Sequence, residues 1–363
     1  MLQLLLGGSG SGKTTLLYQR IRARAEKGEK SILLVPEQFT SSTEGRIYRE
    51  LGDALSGMVE SFSFTSLAEK ILSTEGGAAV QTLSDAGRAV LVRRALEELQ
   101  DNVHYYHRHR RSAAFCQMAA QTIDELKSAG LSGRQLAQLA GACGAESGKL
   151  SELALIFQGY ETLLARSGMD PSDRLELAGA QLEEALARHS LPEFLRDRAV
   201  FIDEFDTFNA PKKRLLGAML AALPSVTVAL CDDGAPLLPG DLSLFSGAKQ
   251  VAAQLRQLAR KNGAEVAVPQ LLRKDLRHRN APGLAAVAEL LETGSCTADA
   301  PAGEVRLFAA PSREEEARAA AGAIRRLMRQ GVRCGKIAVV CRDLAKYRAA
   351  VRYEFRMAEI PLY

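Results

Sequence analysis

Residues 6–15 read LGGSGSGKTT. Within them Gly7, Gly12, Lys13 and Thr14 fill the spacing G-x-x-x-x-G-K-[ST] of a phosphate-binding loop. The apolar run Leu2–Leu6 ahead of it has the pattern of a buried strand, and Thr14–Arg24 behind it has helical periodicity. Strand, glycine-rich loop and helix in that order are the context in which the motif carries chemistry. Glycine lets the backbone curl so that successive N–H groups point inward at phosphate oxygens. The helix N-terminus adds partial positive charge at the same place. Gly7, Gly8, Ser9, Gly10, Ser11, Gly12, Lys13, Thr14 and Thr15 are therefore the candidate cradle for a nucleoside triphosphate, here read as ATP. Lys13 can reach the β- and γ-phosphates, and the Thr14 hydroxyl can sit on Mg²⁺.

Composition sets the frame. The 363 residues suggest two or three domains with ample core. The 47 basic residues barely outnumber the 43 acidic ones, a balance that permits nucleic-acid binding without arguing for it. The six cysteines are scattered, with no C-x-x-C pair and no histidine completing a metal set, so they read as buried, reduced thiols of a cytoplasmic protein. No apolar run approaches the roughly 20 residues of a membrane span. Leu2–Leu6 is also too short for the core of a secretion signal.

Working outward from the loop, residues 1–72 alternate strand and helix. Ser31–Pro36 and Val59–Phe64 are the expected second and third strands of a doubly wound parallel sheet. Residues 73–197 are rich in Ala, Leu, Glu, Gln and Arg at helical spacing. Helices are expected over Ser84–Leu99, Ala113–Ala129 and Lys149–Ser167, with Ser84 and Ser151 as starts, so the segment reads as an all-helical insertion. Residues 198–270 return to α/β character with strands Ala199–Asp203 and Val226–Cys231. A basic, Gly- and Pro-containing transition over 271–300 follows. A second α/β unit then opens, with strands Glu304–Ala309 and Lys336–Cys341 and helices Arg313–Gln330 and Ala345–Met357. Two strands cannot bury both faces of a parallel sheet, so the chain reads as an N-terminal piece of a longer protein.

A phosphate loop needs a partner that holds Mg²⁺. Strand Ala199–Ile202 ends in Asp203-Glu204, the pattern of a metal-holding aspartate followed by a glutamate that activates water as general base. Lys13 and Asp203 stand 190 positions apart, which leaves room for an insertion that compact kinases and GTPases lack.

The order of these motifs resembles a superfamily 1 helicase of the UvrD type. Phe39-Thr40, with Glu44 and Arg46, resembles the segment that contacts single-stranded DNA. Ser63–Leu72 (SFTSLAEKIL) resembles the T-F-H-S-L-A segment with Thr65 in place of His. Thr40 and Ser63 are the DNA-contact candidates this implies. Arg277–Leu284 (RHRNAPGL) falls where such enzymes carry N-Y-R-S, which aligns Arg279 with an arginine that contacts the γ-phosphate. Lys336–Arg342 (KIAVVCR) and Ile360-Pro361 resemble the opening of the second motor domain. The pairing of GGSGSGKTT with Leu33–Thr40 (LLVPEQFT) is similar, more narrowly, to the AddB (RexB) subunits of AddAB helicase–nucleases. IDELKS at 123–128 and the stretch 149–174 resemble that family's helical insertion. The resemblance implies a first RecA-like domain over 1–72 plus 198–270, an inserted helical domain over 73–197, and a linker with the start of a second RecA-like domain over 271–363. It implies a subunit about three times longer, whose nuclease domain with an iron–sulfur cluster lies outside these residues. It also implies a partner subunit of the AddA type, single- and double-stranded DNA ends as substrate, a role in recombinational repair, and recognition of a Chi-type sequence.

Two departures bear on mechanism. No residues precede the loop to supply the adenine-reading glutamine of UvrD-type enzymes. After strand Val226–Leu230 the sequence Cys231-Asp232-Asp233-Gly234-Ala235 stands where the pattern is G-D-x-x-Q, with Ala235 at the glutamine that couples nucleotide to DNA. Glu204 is retained, so hydrolysis remains chemically accessible. His104–Arg111 (HYYHRHRR) reads either as a DNA contact or as a solvated polar face. In the first reading Arg108, Arg110 and Arg111 meet phosphates while Tyr105 and Tyr106 stack on bases. Two functions stay open at this point: an ATP-binding subunit of a DNA-end-processing machine, or a helicase-shaped scaffold with a vestigial nucleotide site.

Overall fold

In the computed structural model, residues 1–74, 82–144, 147–296 and 304–362 are described. The strands are β1 (Leu2–Gly7), β2 (Ser31–Leu34), β3 (Val59–Phe62), β4 (Ala199–Ile202), β5 (Ser225–Cys231) and β6 (Gln270–Leu272). They form one six-stranded sheet in the order β3-β2-β4-β5-β1-β6, with every pairing parallel. This is the RecA-like α/β architecture that the opening motif predicts. β1 is paired along its whole length with β5, from Leu2 opposite Val226 to Gly7 opposite Cys231. Because all six strands run the same way, Gly7, Leu34, Ile202, Cys231 and Leu272 all end at one edge.

The helices are α1 (Lys13–Ala25), α2 (Thr40–Leu51), α3 (Asp53–Ser56), α4 (Phe64–Thr74), α5 (Asp85–Glu98), α6 (Ala113–Ser128), α7 (Gly133–Ala140), α8 (Ser147–Ser167), α9 (Pro171–Ala187), α10 (Ala210–Ala222), α11 (Ser246–Lys261), α12 (Pro282–Thr293), α13 (Arg313–Arg329) and α14 (Leu344–Met357). Successive strand residues point to opposite faces, and helices cover both. Leu5, Leu33, Phe201 and Ala229 pack with Leu17, Ile21, Ile47 and Leu51 of α1 and α2. Leu4, Leu34, Ile202 and Val228 pack on the other side with residues of α4, α9, α10 and α11. α5, α6, α7 and α8 bury a separate core around Val92, Ile123, Phe157 and Tyr160. α9 lies within 73–197 in sequence, yet its Leu175, Ala178 and Leu182 belong to the core under the sheet.

Several local expectations shift. Strand β3 stops at Phe62 because Ser63 caps α4: the Ser66 N–H donates to Ser63 Oγ (3.1 Å) and the Ser63 N–H donates to Ser66 Oγ (2.9 Å). Ser84 does cap α5, accepting from the Gly87 N–H at 3.2 Å. Ser151, by contrast, is internal to α8. Only Cys116 of the six cysteines is buried. Cys231, for one, closes β5 at the strand edge, where the chain leaves the core.

The chain divides into two compact units, Met1–Asn280 with Leu291–Gly294 and Ala281–Leu290 with Ser295–Tyr363. In the second, α13 and α14 pack around Ala321, Ile324, Phe355 and Ile360. Glu354, buried on α14, meets Arg318 of α13 at 3.0 Å. The strands expected over Glu304–Ala309 and Lys336–Cys341 do not form among the described residues. Leu307, Phe308 and Val340 are instead exposed, since a β-rich run becomes a strand only where a neighbour completes its hydrogen-bond ladder. The end of the transition 271–300 lies outside the described residues from 297 on.

Candidate nucleotide site

Gly10 and Gly12 hold φ of 81° and 90°, a left-handed backbone that turns the loop out of β1 and into α1. Gly7 is required by space: a Cβ there would lie 2.5 Å from Ser11 Oγ and 2.6 Å from the Leu272 carbonyl oxygen. Lys13 is buried at the start of α1 and folds back, its Nζ donating to the carbonyls of Gly7 and Gly8 at 2.8 Å each. Its ammonium is thereby poised over the loop. Ser11 Oγ is buried with no hydrogen-bond partner among the described residues.

Strand β4 delivers the carboxylates. The Asp203 N–H continues the ladder to the Leu34 carbonyl at 3.1 Å, and the Glu204 N–H donates to Asp203 Oδ1 at 3.0 Å. Burial pushes the Asp203 carboxyl above its ordinary range and the adjacent Glu204 charge pushes the same way, while the Thr14 hydroxyl, which donates to it, and Lys13 pull it back. Glu204 is exposed and holds φ of 64°, unusual for a residue with a side chain. Behind it, Phe205 and Phe208 pack on Phe64, with ring centroids 5.2 and 6.0 Å away, which fixes the loop that follows β4.

These elements enclose a cavity of about 620 Å³ at the carboxyl edge of the sheet. Ser9, Gly10, Gly12, Lys13, Thr14 and Thr15 line it opposite Asp203 and Glu204. Among the further lining residues that the local pattern did not assign to the nucleotide are Gln38, Phe39, Arg46 and Arg277. Arg46, on α2, lies over the Tyr18 ring at 4.9 Å, and burial raises the Tyr18 hydroxyl to about 12. Arg277 donates to Ser9 Oγ at 3.1 Å, and the Leu276 N–H donates to the Gly10 carbonyl at 3.0 Å. Arg279 is exposed and does not line the cavity. The basic cluster 273–279 was the signal; what selects Arg277 from it is the pairing of β6 with β1, which aims the next residues over the loop.

The remaining candidates lie elsewhere. Thr40 Oγ1 donates to the Glu37 carbonyl at 2.9 Å, and Thr65 Oγ1 donates to the Glu37 carboxylate at 2.8 Å. Ser63 is buried at the start of α4, its hydroxyl occupied in the cap. Arg108, Arg110 and Arg111 sit in the loop between α5 and α6. Ala235 does not line the cavity; its N–H donates to Asp233 Oδ1 at 2.8 Å. Among the described residues no three His, Cys, Asp or Glu side chains group as a metal site, and no helix is long and apolar enough to cross a membrane.

The family model described as ADDB, N-terminal, matches residues 4–288. The chain belongs to the AddB N-terminal family. It is 34% identical, over its whole length, to the B subunit of the ATP-dependent helicase/deoxyribonuclease of Desulforudis audaxviator, and 33% identical to the protein of the same description from Symbiobacterium thermophilum. A relative so described from Clostridium perfringens is 29% identical, again over the whole chain. The chain spans about a third of the length of these relatives, 32%, 32% and 31% respectively. In this member of the family the glycine-rich loop, Lys13, Asp203 and Glu204 line one cavity.

Proposed function

We propose that this chain is the ATP-binding, helicase-like region of a subunit that processes double-strand DNA ends in recombinational repair. The observation that supports it most is the convergence of Lys13, Thr14, Asp203 and Glu204, from two distant sequence segments, on one cavity. The residues fit the expected occupants. Left-handed glycines and the unpartnered Ser11 hydroxyl suit phosphate oxygens. Thr14 and Asp203 offer one hydroxyl and one carboxylate for Mg²⁺, which would neutralise phosphate charge there. Lys13 exchanges its two carbonyl partners for the β- and γ-phosphates. Glu204 takes a proton from water at its carboxylate. Arg277 supplies a second cation at the loop, beside the γ-phosphate contact that the helicase resemblance gives to Arg279.

ATP acts here more as a conformational switch than as the drive for unwinding. Ala235 has no side-chain group with which to link nucleotide to DNA. Residues 1–72 with 198–270 form the first RecA-like domain in this reading, 73–197 the inserted domain, and 271–363 the linker and start of the second. The partner is an AddA-type subunit, the substrate single- and double-stranded DNA ends, and Chi-type recognition and the iron–sulfur nuclease domain belong to the whole complex. The test is DNA translocation by that complex with Lys13→Ala in this subunit. Retained translocation with altered pausing or complex lifetime is expected; complete loss of translocation would overturn the switch.

A further inference from the structure

Between α5 and α6 the chain builds a second cavity far in sequence from the phosphate loop. The N–H groups of His104, Tyr105 and Tyr106 all donate to the carboxylate of Glu152 on α8, at 2.7–3.1 Å. One side chain from another helix thus fixes three consecutive residues of a loop. The rings that follow form a chain: Tyr105 meets Tyr106 edge-on at 5.5 Å, Tyr106 meets Phe115 at 5.3 Å, and Phe115 meets His109 at 5.8 Å. With Met118 of α6 they line a cavity of about 400 Å³ in which no carboxylate takes part. Tyr106 and Phe115 are anchored against the insertion's core. Tyr105 and Met118, at 56% exposure each, form its open lip.

The loop that carries these rings is cationic. Arg108 and Arg111 are exposed, Arg110 is half-buried, and none has a carboxylate partner among the described residues. An aromatic floor held by backbone bonds, on the same loop as guanidinium groups left without counter-charge, fits a polyanion that carries flat rings.

We propose that this cavity takes one unpaired nucleobase of single-stranded DNA, stacked against Tyr105 and its neighbouring rings, with the flanking phosphates on Arg108 and Arg111. The proposal rests on the DNA-processing reading above and adds to it a binding position outside the nucleotide cavity. Stacking accepts any base, so the site holds the strand without reading its sequence.

The test uses the full-length subunit and thymidine oligonucleotides carrying 2-aminopurine at every fourth position. Wild type is expected to quench the probe on binding. Tyr105→Ala should abolish the quench and weaken binding about tenfold, whereas Tyr105→Phe should keep both. Arg108→Ala and Arg111→Ala should each flatten the salt dependence of binding by about 0.7 in log–log slope. Wild-type binding with a quench that survives Tyr105→Ala overturns the base site and leaves the DNA-processing reading standing. Loss of partner-subunit association in Tyr105→Ala, with DNA binding intact, overturns it in favour of a protein contact. Absence of any single-stranded DNA binding by wild type overturns both.

Discussion

Arg277 donates from Nη1 to Ser9 Oγ at 3.1 Å, joining positions 268 residues apart in the chain. With Leu276 bonded to the Gly10 carbonyl, the residues after β6 lie directly on the glycine-rich loop. A guanidinium there would meet a bound phosphate through a charge-assisted bond worth roughly 1.5–3 kcal/mol. Arg277→Ala is therefore expected to weaken ATP binding about ten- to hundredfold. Arg279→Ala should change it little. Titration with a fluorescent ATP analogue measures both, and tighter binding by Arg277→Ala would mean that the arginine blocks the loop rather than serving it.

Asp203 gives a pH signature. Its folded-state carboxyl lies above the ordinary value of 3.8, mainly because it is buried. The fold therefore binds this proton more tightly than the unfolded chain does. The charged carboxylate costs stability at pH 7, and the cost disappears as pH falls through the folded value toward 3.8. Asp203→Asn is expected to raise the melting temperature at pH 7 by about 2 °C while weakening Mg²⁺-dependent nucleotide binding. The gain in melting temperature should shrink at acid pH. A gain independent of pH would assign the effect to packing instead.

Much of this site was legible locally. The run Leu2–Leu6, the glycines and Lys13 are contiguous, and Ala199–Ile202 with Asp203-Glu204 is a complete strand-end pattern, so short-range sequence carries them. β6 is three residues long and exists because Leu5 and Gly7 offer it a ladder opposite Gln270 and Leu272. No local pattern encodes that pairing, and with it goes the choice of Arg277 over Arg279. Arg46 reads as part of a DNA-contact segment by resemblance, but the turn of α2 stacks it on Tyr18 at the nucleotide cavity. The runs 304–309 and 336–341 have strand composition without strand partners, which composition alone cannot reveal.

A largely buried charge group ties α6 and α8 to the start of α9. Lys127 on α6 meets Asp170 and Asp173 at 2.9 Å each, and the Tyr160 hydroxyl donates to Asp170 at 2.7 Å. Burial, and then the bond to Asp170, hold the Tyr160 hydroxyl protonated well above its ordinary range. Asp170 is 1% exposed, so removing Lys127 leaves a buried carboxylate without its cation, held by the neutral Tyr160 hydroxyl. Lys127→Met is expected to cost about 3 kcal/mol in urea unfolding. Adding Asp170→Asn should recover part of that loss, and strictly additive effects would argue against the pairing.

The central claim is that nucleotide binds in the cavity between Lys13 and Asp203. Calorimetric titration of ATP with and without Mg²⁺, on wild type and on Lys13→Ala, tests it most directly. Mg²⁺-dependent binding in wild type, lost in a folded Lys13→Ala chain that still binds single-stranded DNA, is the expected result. Unchanged ATP affinity in folded Lys13→Ala would contradict the account.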